Sequence, residues 1–264
     1  MYGTVEAVER LTPSMVRVVL GGDGLDAFRP NGLTDAYVNA QFVPRGAAYT
    51  APFGPNDLEG LAPEHRPRSR RYTVRAWDDE RRRLTIDFVA HGDEGYAGPW
   101  AQRARPGDRL QLSGPAGGYR PDPDADWHLL VGDESALPAI AASLEVVPPG
   151  ARCVVRLVVD DARHELPLES PGHLDVAWLH RAATADPDQL LPRAVAALRW
   201  LPGRVDVFVH GEAGEVRAVR RHLVAERGVD RDTASISPYW RRHHTDERWR
   251  ETKRQWLAEQ AADV

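Results

Sequence analysis

Short apolar runs separated by turn residues fill the first 120 positions of the chain. Residues 16–20 form a β-branched run closed by two glycines, residues 37–43 form a second run, and residues 84–89 alternate between two faces with period two. Short strands at regular spacing are typical of a small β-barrel. The proline-rich segment 50–68 predicts a long connection, which in a compact domain is usually functional or mobile.

The pattern changes at residues 116–124, where prolines, glycines and acidic residues replace the alternation. This change predicts a domain boundary, with a β-barrel domain at 1–120 and an α/β domain at 125–264. In the second domain apolar runs alternate with helical segments, which favours a parallel sheet covered on both faces. The predicted strands are 127–131, 153–159, 176–179 and 205–209, and the clearest predicted helices are 135–144, 212–227 and 246–262.

Composition and charge exclude several classes of protein. The 264 residues include 34 Lys and Arg against 39 Asp and Glu, and the net charge of −5 argues against a nucleic-acid-binding protein. The single cysteine, Cys153, lies in an apolar run and excludes an internal disulfide, an iron–sulfur cluster or a zinc site built from several thiolates. No apolar run approaches the roughly 20 residues that span a bilayer, and the N-terminus lacks a secretory signal. We therefore expect a cytoplasmic protein that binds no membrane and holds no metal.

The sequence R-R-Y-T-V-R at 70–75 fits the pattern R-x-Y-[ST], which combines a cation, an aromatic ring and a hydroxyl on one strand. Arg70 can pair with a pyrophosphate through two hydrogen bonds, the Tyr72 ring can lie on a flavin, and Thr73 can hydrogen-bond the edge of the flavin ring. An arginine-rich strand with one aromatic residue is the alternative. The period of a strand places its side chains alternately on two faces: Arg70, Tyr72 and Val74 on one, and Arg71, Thr73 and Arg75 on the other.

A glycine-rich turn follows the predicted strand 84–89. The sequence H-G-D-E-G-Y-A-G-P-W-A at 91–101 predicts a tight turn and then a short helix, whose free backbone N–H groups would bind an anion. The pyrophosphate of a dinucleotide would lie in this turn. For His91 the alternative is a hydrogen-bonded turn residue, which is commoner at a strand end than a ligand or a base.

Polar residues follow the first two predicted strands of the second domain. The sequence G-D-E-S at 132–135 stands where a full dinucleotide-binding fold has G-x-G-x-x-G, which argues against a permanently bound NAD. The helix that begins near Ser135 still offers an N-terminal anion site, and capping of that helix is the alternative for Asp133 and Glu134. The choice between NADH and NADPH stays open, because an acidic pair can accept ribose hydroxyls while two arginines can hold a 2′-phosphate: Asp160 and Asp161, and Arg163 and Arg181.

Taken together, these segments resemble the siderophore-interacting proteins, a family of FAD-dependent ferric-siderophore reductases in the ferredoxin-reductase superfamily. The resemblance extends over nearly the whole chain. It rests on R-x-Y-T-x-R at 70–75, D-F-x-x-H-G at 87–92, W-A at 100–101, P-G-D at 106–108, G-P at 114–115, G-Y at 118–119, G-D-E-S-A-L-P-A at 132–139, W-L-H-R at 178–181, G-E-A at 211–213 and Y-W-R at 239–241. It implies a six-stranded Greek-key FAD-binding β-barrel followed by an α/β parallel-sheet NAD(P)H-binding domain.

The resemblance also implies a reaction and a set of contacts. The expected protein is a monomer that uses NADPH or NADH to reduce a ferric siderophore through FAD, releasing Fe(II) without a side-chain nucleophile. The implied cofactor-binding residues of the first domain are Arg70, Tyr72, Thr73, Val74, Arg75, Asp87, Val89, His91, Gly92, Gly95, Ala97, Trp100 and Ala101. Those of the second domain are Asp133, Glu134, Ser135, Ala136, Glu212, Tyr239 and Trp240. For Tyr239 and Trp240, packing of the last strand against the final helix is the alternative to covering the flavin.

Three positions depart from the family pattern. Tyr96 follows Gly95 where the family usually has a proline, Asn39 stands in place of a common lysine, and His243 follows Y-W-R-R where a glycine is usual. Tyr96 lies in the turn expected to contact the pyrophosphate and would change that contact, whereas flavin binding as a whole is expected to be little affected. The identity of the electron acceptor is the property that they leave open.

A basic segment near the end of the chain is the candidate substrate-binding patch. Its arginines would attract an anionic ferric chelate, and a solvated surface is the alternative. The patch consists of Arg241, Arg242 and Arg248. Two other functions stay open: a flavin reductase that serves another electron acceptor, and a non-catalytic protein that binds a siderophore or a flavin.

Overall fold

The chain forms two compact units, Met1–Gly118 and Tyr119–Val264. The computed structural model describes residues 1–90, 92–93 and 95–261. Within that part of the chain, no helix is both long and apolar enough to cross a membrane.

The first unit is built from antiparallel strands that pair in the order β4-β3-β7-β1-β2-β6-β5. The short helix α1 (Ala97–Arg103) follows β6. The strands are β1 (Tyr2–Thr12), β2 (Met15–Gly21), β3 (Tyr37–Phe42), β4 (Arg68–Thr73), β5 (Ala76–Asp78), β6 (Arg83–Val89) and β7 (Arg109–Ala116).

A bend between β4 and β5 closes this sheet into a barrel. β4 pairs with β3, and β5 pairs with β6 at the opposite end of the strand order. Between the two, the Val74 N–H donates to the carbonyl of Ala36 at 2.7 Å and the Arg75 N–H donates to that of Thr85 at 2.9 Å. β4 and β5 therefore act as one bent strand, and the seven segments make the predicted six-stranded barrel.

The second unit contains a five-stranded sheet, in the order β10-β9-β8-β11-β12, in which every pairing is parallel. Its carboxyl-terminal edge therefore gathers the last residues of all five strands. The strands are β8 (Trp127–Asp133), β9 (Arg152–Val159), β10 (His173–His180), β11 (Val205–Glu212) and β12 (Ser235–Trp240). The helices are α2 (Leu137–Leu144), α3 (Leu190–Ala196), α4 (Ala213–Ala225) and α5 (Asp246–Ala261).

Alternation along the central strands gives this sheet two buried faces. One face places Leu129 and Val209 in a core that includes Leu191 of α3 and Val219 of α4. On the other face a buried carboxylate, Asp206, accepts hydrogen bonds from the Tyr119 hydroxyl at 2.7 Å and pairs with Nδ1 of His128 at 3.0 Å. A sheet covered on both sides is what the unbroken apolar runs predicted.

Helix boundaries differ from the sequence prediction at two places. α2 begins at Leu137 rather than Ser135, because Asp133 turns back to accept the N–H and hydroxyl of Ser135. α3 was not predicted, since prolines at 187 and 192 interrupt the apolar pattern there; Pro192 is tolerated because it lies in the first turn of the helix.

Candidate cofactor and acceptor sites

Strand β4 presents Arg68, Arg70 and Tyr72 on one face. In the register with β3 their partners are Phe42, Ala40 and Val38, all of which are buried in the barrel core. Paired residues of neighbouring strands share a face, so the arginines lie on the side of the sheet that the core occupies. Arg70 and Tyr72 therefore share one face of the strand, as the sequence predicts.

The other face of β4 is turned away from the core. Arg71 is exposed, and its guanidinium lies 5.2 Å from the centre of the Tyr37 ring. The alternation ends with the strand at Thr73, which is buried, and Val74 and Arg75 form the bend into β5.

Two guanidinium groups flank one aromatic ring next to this strand. The Cζ atoms of Arg68 and Arg70 lie 5.8 Å and 5.5 Å from the centre of the Tyr96 ring. Both distances are within the range of cation–π attraction. The Nε atom of Arg68 is buried and has no hydrogen-bond partner among the described residues.

An aromatic cluster adjoins the arginines, because Tyr72 lies two residues from Arg70 on the same face. The Tyr72 and Phe88 rings are 4.4 Å apart, the Phe88 and Trp100 rings 5.7 Å, and the Phe42 and Trp100 rings 5.8 Å. Tyr72 and Trp100 are only partly buried. Partly exposed aromatic rings beside cationic side chains suit a ligand with a flat ring system and phosphate groups. The donor set, with an orphaned Nε, therefore fits FAD.

Asp87 and Arg75, both predicted to contact the cofactor, belong to an ion-pair cluster. The Asp87 carboxylate accepts two hydrogen bonds from Arg17, at 2.7 Å and 2.8 Å, across the β2–β6 pair. The Nε of Arg75 lies 4.0 Å from the same carboxylate. Asp87 is 4 % exposed, so this cluster ties strands together inside the first unit.

The glycine-rich turn and helix α1 follow β6 as predicted. Gly92 and Gly95 have φ of 58° and 80°, in the left-handed region that favours glycine. Ala97 and Ala101 are buried in the barrel core, whereas Val89 is half-buried. His91 lies outside the described residues.

At the carboxyl edge of the second unit, one carboxylate connects three strands. Asp133 accepts hydrogen bonds from Ser135 N at 2.9 Å and Oγ at 2.5 Å, from Glu212 N at 2.9 Å and from Trp240 Nε1 at 2.7 Å. Asp133 is 1 % exposed, and the neighbouring Ala136 is fully buried. Asp133 therefore links the ends of β8, β11 and β12. It does not cap α2, whose N-cap residue is Ala136.

Glu134 and Glu212 are also engaged within the second unit. Glu134 holds Arg181 through two hydrogen bonds, at 2.6 Å and 2.9 Å, and Arg181 also reaches Asp160 at 3.1 Å. Glu212 caps α4 by accepting the N–H groups of Gly214 at 2.6 Å and Glu215 at 3.0 Å.

Glu215 is a residue of this edge that sequence reasoning missed. Burial raises the pKa of its carboxyl group to about 8, assisted by the charge of Asp133. Its Oε1 accepts a hydrogen bond from Nη2 of Arg242 at 3.0 Å, and its Oε2 has no hydrogen-bond partner among the residues that the structure describes. In the sequence, the indication that Glu215 lies at this edge is its position three residues after the capping Glu212. Among the described residues, no group of His, Cys, Asp and Glu side chains is arranged to hold a metal ion.

The predicted acceptor patch divides into two parts. Arg242 is held by Glu215 and Asp188, and its backbone N–H donates to Glu212 at 3.1 Å, so it belongs to the carboxylate edge. Arg248 is exposed and Arg241 is half-buried. These two remain the candidates for an exposed cationic surface.

The two C-terminal aromatic residues pack inside the second unit. The Tyr239 ring lies 4.7 Å from that of His210, and the Tyr239 carbonyl accepts a hydrogen bond from Trp249 of α5 at 3.2 Å. Burial lowers the pKa of His210 to about 3, so this ring is neutral. These contacts join the Tyr239 ring to β11 and the Tyr239 backbone to α5, and the covering of the flavin by Tyr239 and Trp240 stays a prediction.

The fold and the site define a class of protein. An antiparallel barrel with an FAD-compatible strand, followed by a parallel sheet, is the ferredoxin-reductase-like fold. The family model of the siderophore-interacting FAD-binding domain matches residues 4–119, and that of the siderophore-interacting protein matches residues 125–243. The chain belongs to the siderophore-interacting protein family.

Similarity to other proteins extends over almost the whole chain. Ferric vibriobactin reductase ViuB of Vibrio cholerae is 36% identical over 253 residues, which cover 92% of this chain and 90% of that protein. The NADPH-dependent ferric-chelate reductase of Escherichia coli is 32% identical over 241 residues, covering 90% and 91%. The crystal structure of a siderophore utilization protein from T. fusca matches with a TM-score of 0.81 at 38% identity, covering 93% of this chain and 94% of that chain.

Proposed function

We propose that this protein is an FAD-containing, NAD(P)H-dependent reductase of ferric siderophores. The observation that carries the proposal is the core-side face of β4, which aligns two arginines with Tyr72 beside an aromatic cluster, in a domain that matches the family's FAD-binding model. Relatives named as ferric vibriobactin reductase and ferric-chelate reductase support the reaction.

In the first unit, Arg70 would neutralise the FAD pyrophosphate and Thr73 would hydrogen-bond the edge of the flavin ring. The aromatic cluster of Tyr72, Phe88 and Trp100 would supply an apolar wall that keeps water from that ring. Bound FAD supplies the chemistry of taking an electron pair as hydride and releasing electrons singly. Single-electron delivery suits Fe(III), because its hard oxygen ligands in a siderophore hold Fe(II) less tightly.

The second unit would bind the nicotinamide dinucleotide at the carboxyl edge of its sheet, where open parallel sheets take their ligands. Asp160 at the end of β9 is half-exposed and suits a ribose hydroxyl. Arg181 is engaged by Glu134 and Asp160. Arg163 is the more exposed cation near this strand end, and it pairs with Asp161 at 2.6 Å. Either NADPH or NADH is compatible with this set of side chains.

An anaerobic stopped-flow experiment tests the proposal. The purified protein is expected to be yellow, to release FAD rather than FMN for mass spectrometry, and to be bleached by NADPH or NADH. A panel of ferric siderophores should then restore the flavin absorbance and produce Fe(II). A colourless protein would support a binding role without turnover, and restoration only by oxygen or another electron carrier would support a flavin reductase with a different acceptor.

A further inference from the structure

We propose that Arg68 and Tyr96 join Arg70 in a single binding site for the pyrophosphate of FAD. We call these three residues the Arg–Tyr–Arg cluster. The inference rests on the proposed FAD cofactor, and it adds two residues to the site that the R-x-Y-T pattern predicts.

Strand geometry brings the two arginines together. Arg68 and Arg70 are two residues apart on β4 and therefore project from the same face, opposite Phe42 and Ala40 of β3. Tyr96 comes from the turn before α1, and its ring lies 5.8 Å from one guanidinium and 5.5 Å from the other. One ring thereby holds two cations next to each other.

The burial of Arg68 lacks a compensating acceptor within the part of the chain that the structure describes. Its Nε is buried without a hydrogen bond, and leaving a charged donor unsatisfied is costly. Two other partly buried arginines, Arg17 and Arg181, are each held by a carboxylate through two hydrogen bonds. Residues 1–90, 92–93 and 95–261 provide no such carboxylate for Arg68, so an acceptor from a ligand would complete this group.

The charge of the cluster selects the ligand. Two guanidinium groups that face one ring place positive charge beside it, and an anion that contacts both groups is attracted by both. A pyrophosphate presents two negative charges and oxygens for two bidentate donors, whereas FMN offers one phosphate and riboflavin none. The cluster therefore favours a flavin dinucleotide over the shorter flavins. Tyr96 is the positioning residue, since its ring face contacts both cations.

Flavin titrations of the apoprotein test this assignment. Affinities for FAD and FMN are measured by fluorescence quenching for the wild type, Arg68→Met, Arg68→Lys, Tyr96→Phe and Tyr96→Leu. Arg71→Met is the matched control, because Arg71 lies on the same strand but on the opposite, exposed face. Circular dichroism melts verify that each variant is folded.

Arg68→Met is expected to weaken FAD binding about ten- to hundredfold, the effect of losing a charge-assisted contact, and to lower the ratio of FAD affinity to FMN affinity. Arg68→Lys should show a smaller loss, because it keeps the charge without the planar fork. Tyr96→Leu should weaken FAD binding several-fold, whereas Tyr96→Phe and Arg71→Met should behave like the wild type.

Two results would overturn the assignment. One is unchanged FAD affinity in both Arg68 variants, and the other is an equal loss of FAD and FMN affinity, which would make Arg68 a structural residue of the barrel. A wild-type protein that binds FAD but reduces no ferric chelate would contradict the proposed function and leave this assignment intact. A wild type without FAD affinity would contradict both.

Discussion

A single carboxylate at the edge of the second unit, predicted to bind the cofactor, also organises the protein around it. Asp133, the last residue of β8, accepts two hydrogen bonds from Ser135 and one each from β11 and β12, so its acceptor capacity is filled by the protein. The neighbouring carboxylates are also engaged in hydrogen bonds. Their negative charges disfavour the ionisation of a further carboxyl group at this edge. Glu215 is the group that responds, because burial beside Asp133 raises its pKa to about 8.

The raised pKa of Glu215 makes stability depend on pH. Because the folded state holds a proton that the unfolded state releases near pH 4.5, the free energy of unfolding should fall as pH rises from 5 to 8, by at most about 1.4 kcal/mol per pH unit, and level off above pH 8. Glu215→Gln removes this titration and should flatten the profile. Urea denaturation at a series of pH values measures both proteins. Parallel profiles for the wild type and the variant would contradict the expectation.

A second residue-scale effect concerns the position where the family usually has a glycine. His243 has a φ of 61°, in the left-handed region that disfavours residues with a Cβ atom. His243→Gly should therefore raise the free energy of unfolding by about 1 kcal/mol, after subtraction of the flexibility that glycine adds to the unfolded chain. His244→Gly is the control, since His244 does not share this conformation and its Nδ1 contacts the Arg242 carbonyl at 3.1 Å. Urea denaturation of both variants should show opposite changes; destabilisation by His243→Gly would contradict the strain argument.

Among the secondary-structure elements, the two-residue period of strands and the 3.6-residue period of helices predicted most of the fold. The alternation at 84–89 placed β6 (Arg83–Val89) to within one residue, and the helix predicted at 212–227 is α4 (Ala213–Ala225) with Glu212 as its cap. The sequence also predicted that Arg70 and Tyr72 share one face of β4, since side chains alternate along a strand with period two. The contact of Arg68 with Tyr96 could not be predicted, because it joins β4 to a turn more than twenty residues later. Local sequence patterns contain no information about such pairs.

Strand pairing also explains the position of Asp87. Its ion pair with Arg17 joins β2 to β6, and Asp87→Ala should lower the free energy of unfolding of the apoprotein by about 3 kcal/mol, because it leaves a partly buried guanidinium without its carboxylate. The control is Glu6→Ala, which breaks a more exposed pair with Arg83 and should cost less than about 1 kcal/mol. Denaturation without flavin provides the measurement. Normal stability with weakened FAD binding would instead place Asp87 in the cofactor site.

For the whole molecule, the sign of the charge sets how an acceptor would approach. The net charge of −5 repels anionic ferric chelates, so a local group of arginines would be needed to attract them. Arg242 is unsuitable for testing this idea, because its removal would leave the buried Glu215 and the exposed Asp188 without their partner. Arg241 and Arg248 are the two members of the patch that can be changed without disturbing the carboxylate edge.

The double variant Arg241→Gln/Arg248→Gln should lower the bimolecular rate of reoxidation of the reduced flavin by an anionic ferric chelate, by about tenfold at low salt. The difference should shrink as ionic strength rises, since charges beyond about 8–10 Å are screened at physiological salt. Arg10→Gln/Arg105→Gln, which removes two exposed positive charges from the first unit, controls for net charge. Reduction by NADPH or NADH should be unchanged in all proteins. Equal reoxidation rates in the wild type and the patch variant at low salt would assign Arg241 and Arg248 to a solvated surface, because a docking patch that steers an anion must lose rate when its charge is removed.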